Sequence, residues 1–375
     1  MDPLSDAIEK RGADSYVVYA SSRDADMRYL THFTTSDPFV FLKKPDEKGI
    51  IIISQMETGR ASRESTAVIM TRTQAGLPEI MKTEKDPWRA TAKMIAGQAG
   101  KKILVPPNFP LALAKALGKY CSVVVDRGTV LSMRARKTKS EILMMKNVQK
   151  VTEKAIGLAV STIKRASVKK GVLYFEGKPL TSERIKFAMH SLLLENGCSA
   201  VDSIVSFGEE TAIPHMTGSG PVPANEPIVI DIFPFDEKTG YYADMTRTVS
   251  KGEPSQEIID MYNTLREAKQ IGISKVKAGV AGAAVHQSVV DFFKERGYES
   301  DTHGFIHNLG HGVGLQVHEL PTVGPAGTAL EAGNVITIEP GLYYPGIGGV
   351  RLEDIGAVTS RGFDKFTAFP EELII

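Results

Sequence analysis

The residues with the most chemistry to offer lie between positions 303 and 319, which read HGFIHNLGHGVGLQVHE. Four of the chain's eight histidines fall here: His303, His307, His311 and His318. Imidazole is the commonest side-chain metal ligand and the usual proton carrier near neutral pH. Gly310, Gly312 and Gly314 alternate around His311, so the backbone there is free to turn sharply or to approach another segment closely. Two plainer readings compete. Histidines spaced by four could share one face of a helix, with His303 and His307 as structural residues. The glycines could form a nucleotide turn, but GHGVGLQ lacks the GxGxxG spacing and no acidic residue follows in a βαβ setting.

Carboxylates favour the first reading. Asp231 lies inside the apolar run IVIDIFP, residues 228–234, where a charge is costly unless paired or bound to a metal. Asp244 lies in YYADMTRTV, residues 241–249, and the turn residues at 236–240 predict a hairpin that brings the two aspartates together. Close carboxylates repel and raise each other's pKa unless a cation intervenes. The alternative partner for Asp244 is Arg247. Glu339 ends the β-branched run of a strand predicted at 335–343, and Glu353 falls on a second short strand at 350–354. Four carboxylates and one imidazole make a hard, oxygen-rich set. That set suits Mn²⁺, Co²⁺, Fe²⁺ or a hydrated Zn²⁺ pair better than a structural Cys/His zinc site. Two divalent cations balance the four negative charges, and such a pair can share a hydroxide and stabilise an oxyanion.

The elements that must position these residues are legible at coarse grain. The first third alternates strand-like runs (16–20, 39–42, 50–53, 101–105, 123–125) with helices predicted at 86–97 and 111–120, which predicts a small α/β domain. His32 is read there as an ordinary loop histidine in preference to a wall or gate residue. The basic run Arg134 to Lys139 is read as a solvated linker. Behind it, Thr138-Lys139-Ser140-Glu141 has capping-box form, and Met145, Val148, Val151, Ala155 and Ala159 recur at helical spacing. Domains are therefore expected at 1–136 and 137–375. Further helices are predicted at 180–195, from Ser255 onward, and at 282–296. His215 lies in a polar, glycine-bearing loop, where functional residues concentrate, although a lone loop histidine is most often structural.

Composition excludes several classes. The chain has 375 residues, 42 % of them hydrophobic and 24 % charged, as in a globular protein. A net charge of +1 carries no footprint for nucleic acid or an anionic membrane. Two cysteines without CxxC spacing argue against a disulfide framework and accord with a reducing compartment. No apolar run approaches transmembrane length and the first residues lack a signal-peptide core, so a cytoplasmic location is expected.

At these motifs the chain closely resembles the metallopeptidases that include methionine aminopeptidase, prolidase, aminopeptidase P and creatinase. The matching segments are IPHMTGS, IVIDIF…YYADMTRT, HNLGHGVGLQVHE, TIEPGLY and VRLEDI, in that order, and RYLTHFTTSD in the first domain points to the aminopeptidase P–prolidase branch. The resemblance implies a small α/β creatinase-like N-terminal domain and a C-terminal α+β "pita-bread" domain with a curved, mostly antiparallel sheet backed by helices. It implies two divalent metals per subunit, with Asp231 on one, Asp244 and Glu353 bridging, and His311 and Glu339 on the other. A water activated at the pair then attacks the scissile carbonyl while Glu339 shuttles its proton. His318 contacts that carbonyl, His215 sits near the substrate nitrogen or proline side, His307 lines the pocket and Arg351 orients carboxylates. The expected substrates are peptides with proline at the second position, and the expected assembly is a homodimer. Two departures stand out. The Asp231–Asp244 spacing is slightly longer than usual, and Thr322 follows the His318-Glu319 pair where several prolidases carry an arginine for the dipeptide carboxylate. A Xaa-Pro aminopeptidase is thus expected ahead of a prolidase, with a non-catalytic binding protein on the same fold as the reading from another class.

Overall fold

The computed structural model describes residues 2–375 and divides the chain into two compact units, Met1–Arg134 and Ala135–Ile375. The first unit is built on one mixed six-stranded sheet. Its order is Val68–Thr71, Ile50–Ile53, Phe39–Lys43, Ser15–Ala20, Lys102–Val105 and Ser122–Val125. The near-continuous Val/Ile runs mark strands covered on both faces, and two separate sets of buried side chains lie against this sheet. The helix Pro87–Ala99 starts as its sequence predicts, with Asp86 accepting from the Arg89 N–H and proline in the first turn. His32 ends the helix Ala25–Thr31 in the left-handed conformation and is exposed.

The second unit begins with the 27-residue helix Lys139–Arg165. The capping box is present: Thr138 accepts from the Glu141 N–H and the Glu141 side chain accepts from the Thr138 N–H. This helix packs with Ser182–Glu195 over a three-stranded antiparallel sheet, ordered Ile204–Phe207, Ile228–Ile232, Met245–Val249. Strand period explains the packing. Ile228, Ile230 and Ile232 join Ala155, Ile185 and Met189 in one core, which turns Asp231 to the opposite face. Each isoleucine fully buried this way contributes about 1.5–3 kcal/mol.

A second pair of helices, Gln256–Lys275 and Gly282–Glu295, covers a five-stranded sheet ordered Glu319–Val323, Gly310–Gly312, Val335–Ile338, Asp354–Val358, Phe363–Lys365. Ile258, Leu265, Val285, Val289, Ile336 and Ile338 share that core. A separate hairpin pairs Gly341–Tyr344 with Gly348–Arg351. Every paired strand of this unit is antiparallel among the described residues. Among the described residues, no helix is long and apolar enough to cross a membrane.

Several local expectations change. The stretch from His303 is loop and short strand, so His303, His307 and His311 share no helical face. The strand expected at 335–343 is two strands in different sheets, broken at Glu339-Pro340 because proline cannot donate to the ladder. Glu353 lies in the two-residue break after Gly348–Arg351, and Asp244 immediately precedes its strand. The basic run at 134–139 is no solvated linker: Arg134 and Lys137 are both buried and ion-paired, Arg134 with Asp26 at 2.7 Å.

Candidate metal centre

Asp231 points off the sheet face opposite the isoleucine core, and its register partner on the next strand is Thr246. Asp244 precedes Thr246 by two residues, so both project to the same side. The hairpin thus brings Asp231 and Asp244 to one surface. Across from it, His311 sits on the short strand Gly310–Gly312, and Glu339 and Glu353 occupy the two strand breaks. Ligand atoms of Asp244, His311 and Glu353 all lie within 4.8 Å of one another. His311 Nε2 is 3.0 Å from Glu339 Oε1 and 3.8 Å from Asp244 Oδ2. Arg247 is no partner for Asp244. It pairs with Asp354 at 2.9 Å.

Neighbouring groups aim these side chains. His311 Nδ1 faces the Gly312 carbonyl at 3.2 Å, so the N–H donates there and Nε2 turns to the carboxylates. The Thr337 hydroxyl accepts from the His311 N–H at 3.1 Å and donates to Glu339 Oε1 at 3.2 Å. Thr246 donates to Glu353 Oε2 at 2.9 Å. Arg351 donates to Asp231 Oδ2 at 2.6 Å, to the Tyr343 hydroxyl at 2.7 Å and to Thr246 at 3.2 Å. Tyr343 in turn meets His307 Nε2 at 3.1 Å, and His307 Nδ1 donates to the Asn308 carbonyl at 2.7 Å. Through these bonds Arg351 ties Asp231 to His307.

Electrostatics follow from burial and like charge. Burial, then the charges of Glu353, Asp231 and Glu339, hold the Asp244 carboxyl well above the usual carboxylate range. Burial, then Glu339 and Asp231, does the same to Glu353. Burial would also raise Glu339, but the hydrogen bond and charge of His311 outweigh it and bring Glu339 to about 2. The same contact raises His311 above its ordinary value against the effect of burial. A cation on His311 Nε2 would displace any proton held there, so metal binding and the His311–Glu339 contact compete for the same nitrogen. Burial lowers His318 and His307 below the usual histidine range, with further pressure on His318 from His311.

The donor set fits divalent cations. It is oxygen-rich with one imidazole, it holds more negative charge than the chain neutralises, and Asp231 Oδ1 is buried with no hydrogen-bond partner among the described residues. A buried carboxylate oxygen left this way costs free energy unless something outside the chain takes it.

The remaining histidines divide. The His318 ring meets His311 edge to face at 4.2 Å and is exposed. His215 is exposed in the loop after the short turn Gly208–Ala212, near enough to act electrostatically on both His307 and His318. Arg351 reaches that loop at the Pro214 carbonyl, 3.3 Å away. His303 stands apart, stacked on Tyr344 at 6.4 Å. Thr246, Thr337 and Tyr343 are the residues that sequence reasoning overlooked. Thr246 alone carried a signal, being two positions from Asp244 on a strand.

The glycine pattern serves close approach. Gly312 and Gly314 do not take positive φ. A Cβ on Gly312 would collide with the Leu320 carbonyl, and one on Gly314 with the Glu319 carboxylate, so glycine lets the returning strand press against the His311 segment.

Comparison with known proteins is consistent across the chain. The model of "Metallopeptidase family M24" matches residues 144–360, and that of "Creatinase/Prolidase N-terminal domain" matches residues 1–136. An uncharacterized peptidase of Staphylococcus aureus is 34 % identical over 245 residues, 64 % of this chain and 65 % of its own length. The match thus spans about two thirds of that relative. The Xaa-Pro dipeptidase from Bacillus anthracis is 27 % identical with a TM-score of 0.85, covering 100 % of this chain and 98 % of that one. The X-Pro aminopeptidase from Thermotoga maritima is 25 % identical with a TM-score of 0.80, covering 99 % and 100 %.

Proposed function

The chain belongs to metallopeptidase family M24, and from that premise we propose that it is a two-metal exopeptidase hydrolysing the Xaa-Pro bond at peptide N-termini. The observation that carries the reading is the convergence of Asp244, His311 and Glu353 within 4.8 Å, with Glu339 on His311 and the orphaned Asp231 Oδ1 beside them. In this reading Asp231, Asp244, His311, Glu339 and Glu353 are the residues that would hold the cations, with Mn²⁺ or Co²⁺ ahead of Zn²⁺ or Fe²⁺. Bound divalent cations supply Lewis acidity and a water that ionises near neutral pH.

The chain's own side chains do the rest. Glu339 accepts the proton shed by the attacking water and passes it toward the departing proline nitrogen, a general acid–base role. His318, held below the usual histidine range by partial desolvation and the nearby His311, donates to the carbonyl oxygen as it becomes an oxyanion. His215 and His307 contact the substrate on the proline side. Arg351, donating to Asp231 Oδ2, keeps that carboxylate aimed, which sets ligand geometry. Residues 137–375 form the catalytic domain and residues 1–136 the creatinase-like domain of a cytoplasmic homodimer.

The dipeptidase reading has its own support, the 27 % identity to the Bacillus anthracis Xaa-Pro dipeptidase over the whole chain. Against it, Thr322 stands on the strand Glu319–Val323 opposite His311, where an arginine would meet a dipeptide's carboxylate through a charge-assisted bond of about 1.5–3 kcal/mol. The test is hydrolysis by Mn²⁺- or Co²⁺-loaded protein of a Xaa-Pro dipeptide, a Xaa-Pro-Xaa tripeptide and a Met-Ala peptide. Tripeptide cleavage is expected. Cleavage of the dipeptide alone would make the protein a prolidase, and cleavage of none, with metal bound, would favour a binding protein on this fold.

A further inference from the structure

One buried ion pair beside the site has no part in the reaction described above. Lys137 Nζ lies 2.5 Å from Glu319 Oε1, and each side chain is 1 % exposed. Removing two charges from water costs about as much as their attraction returns, so such a pair is poor support for stability alone. Its location supplies another role. Glu319 directly follows His318 and opens the strand that pairs with the His311 strand, with a register shift between His311 and Gly312. The exposed His318 ring rests edge to face on His311, so its aim depends on where the backbone at 318–319 is held. The Glu319 carboxylate packs over Gly314, where a Cβ would strike it.

The other end of the pair is equally fixed. The Lys137 N–H donates to the Gly333 carbonyl at 2.8 Å. Arg136 bridges Asn334, whose side-chain amide donates to the Ala135 carbonyl at 3.0 Å. Asn334 immediately precedes the strand Val335–Ile338, which leads into Glu339. The Lys137–Glu319 contact therefore joins the root of the Glu339 strand to the residue after His318.

We propose that Lys137 and Glu319 are positioning residues that hold His318 at the scissile carbonyl, an inference that rests on the peptidase reading above. A displacement near 1 Å in such a group costs up to about 10²-fold in rate. Lys137→Met should lower kcat on the Xaa-Pro-Xaa tripeptide by on the order of 10–100-fold while leaving KM and metal content close to wild type, and Lys137→Arg should recover most of the loss. In a His318→Ala background the same Lys137→Met change should alter kcat by less than about twofold, because groups acting as a unit are not additive. An equal loss in both backgrounds, or none in either, would overturn the proposal. A second readout needs no turnover: the His318 imidazole signals in a histidine-labelled NMR spectrum, assigned by their loss in His318→Ala, should shift in Lys137→Met while those of His190 and His303 stay in place. Unmoved His318 signals also overturn it. If the wild type cleaves no Xaa-Pro peptide, the peptidase reading fails and the NMR result still decides the positioning role. Should Lys137→Met not fold, Glu319→Gln, which keeps an acceptor for Lys137, is read by the same two criteria.

Discussion

Glu353 and Asp354 are adjacent in sequence and almost equally buried, at 2 % and 0 % exposed, yet their surroundings are opposite. Glu353 faces Asp244, Asp231 and Glu339, and burial together with the charges of Glu339 and Asp231 pushes its carboxyl up. Asp354 faces Lys269 at 2.6 Å and Arg247 at 2.9 Å. Burial would raise it too, but those cations hold it below the ordinary carboxylate range. Arg247 also donates to the Glu353 carbonyl and to the Pro370 and Phe369 carbonyls, and Lys269 reaches Glu371 at 2.6 Å. One cluster is thus closed by cations of the chain itself, and the other is short of them. The difference separates a structural charge cluster from a ligand set: both are buried and acidic, and only the balance of charge distinguishes them.

Substitutions should divide along the same line. The largest effect is expected for Glu353→Ala or Asp244→Ala, which should abolish turnover and metal-pair binding together. Turnover assays and elemental metal analysis measure both, and normal activity in either variant would end the two-metal assignment. Asp354→Ala should leave metal stoichiometry unchanged and cost about 3–5 kcal/mol of stability by urea unfolding, because Arg247 and Lys269 remain buried without their partner. His318→Ala should keep its metal and lose on the order of 10²–10³ in kcat, as for a lost oxyanion donor. Arg351→Lys, which removes the guanidinium that Asp231, Tyr343 and Thr246 share, should weaken metal affinity by about 10–100-fold, read by calorimetric titration.

The smallest effect is on pH dependence, and the two carboxylates differ in sign. Asp354 has a folded pKa below its unfolded value of 3.8. Its stabilisation is present above that unfolded value and is lost as pH falls through the lower, folded one. In metal-free protein Glu353 and Asp244 have raised folded pKa values, so their contribution is present in acid and is lost as pH rises through the folded values. Chelation should therefore lower Tm more near neutral pH than near about pH 5. Scanning calorimetry with and without chelator checks this, and an equal drop at both values would argue that no cation relieves these carboxyls.

Much of this arrangement was legible in residue order. An aspartate among isoleucines at strand spacing had to leave the core face, and turn residues at 236–240 had to fold Asp244 back toward it. The capping box at Thr138 set the start of the long helix. Element boundaries at the site were less legible, because Pro340 and the break at Leu352-Glu353 interrupt runs that read as continuous strands. The basic run at 134–139 reads as solvated because charge implies solvent unless a partner is in view, and the partners of Arg134 and Lys137 lie far along the chain. His303, in the same histidine-rich run as His311, turned out to stack on Tyr344 away from the carboxylates.

Side-chain chemistry and short-range periodicity belong to the sequence alone, and they determined which residues could bind a metal and which face of each strand they occupy. Pairings across long separations belong to the fold. Lys137 meets Glu319 182 positions on, and Arg351 meets Asp231 120 positions back. Such contacts depend on how two sheets return past each other, which no local pattern encodes. The tertiary structure therefore decided which buried acids found cations within the chain and which remained open to cations from outside it.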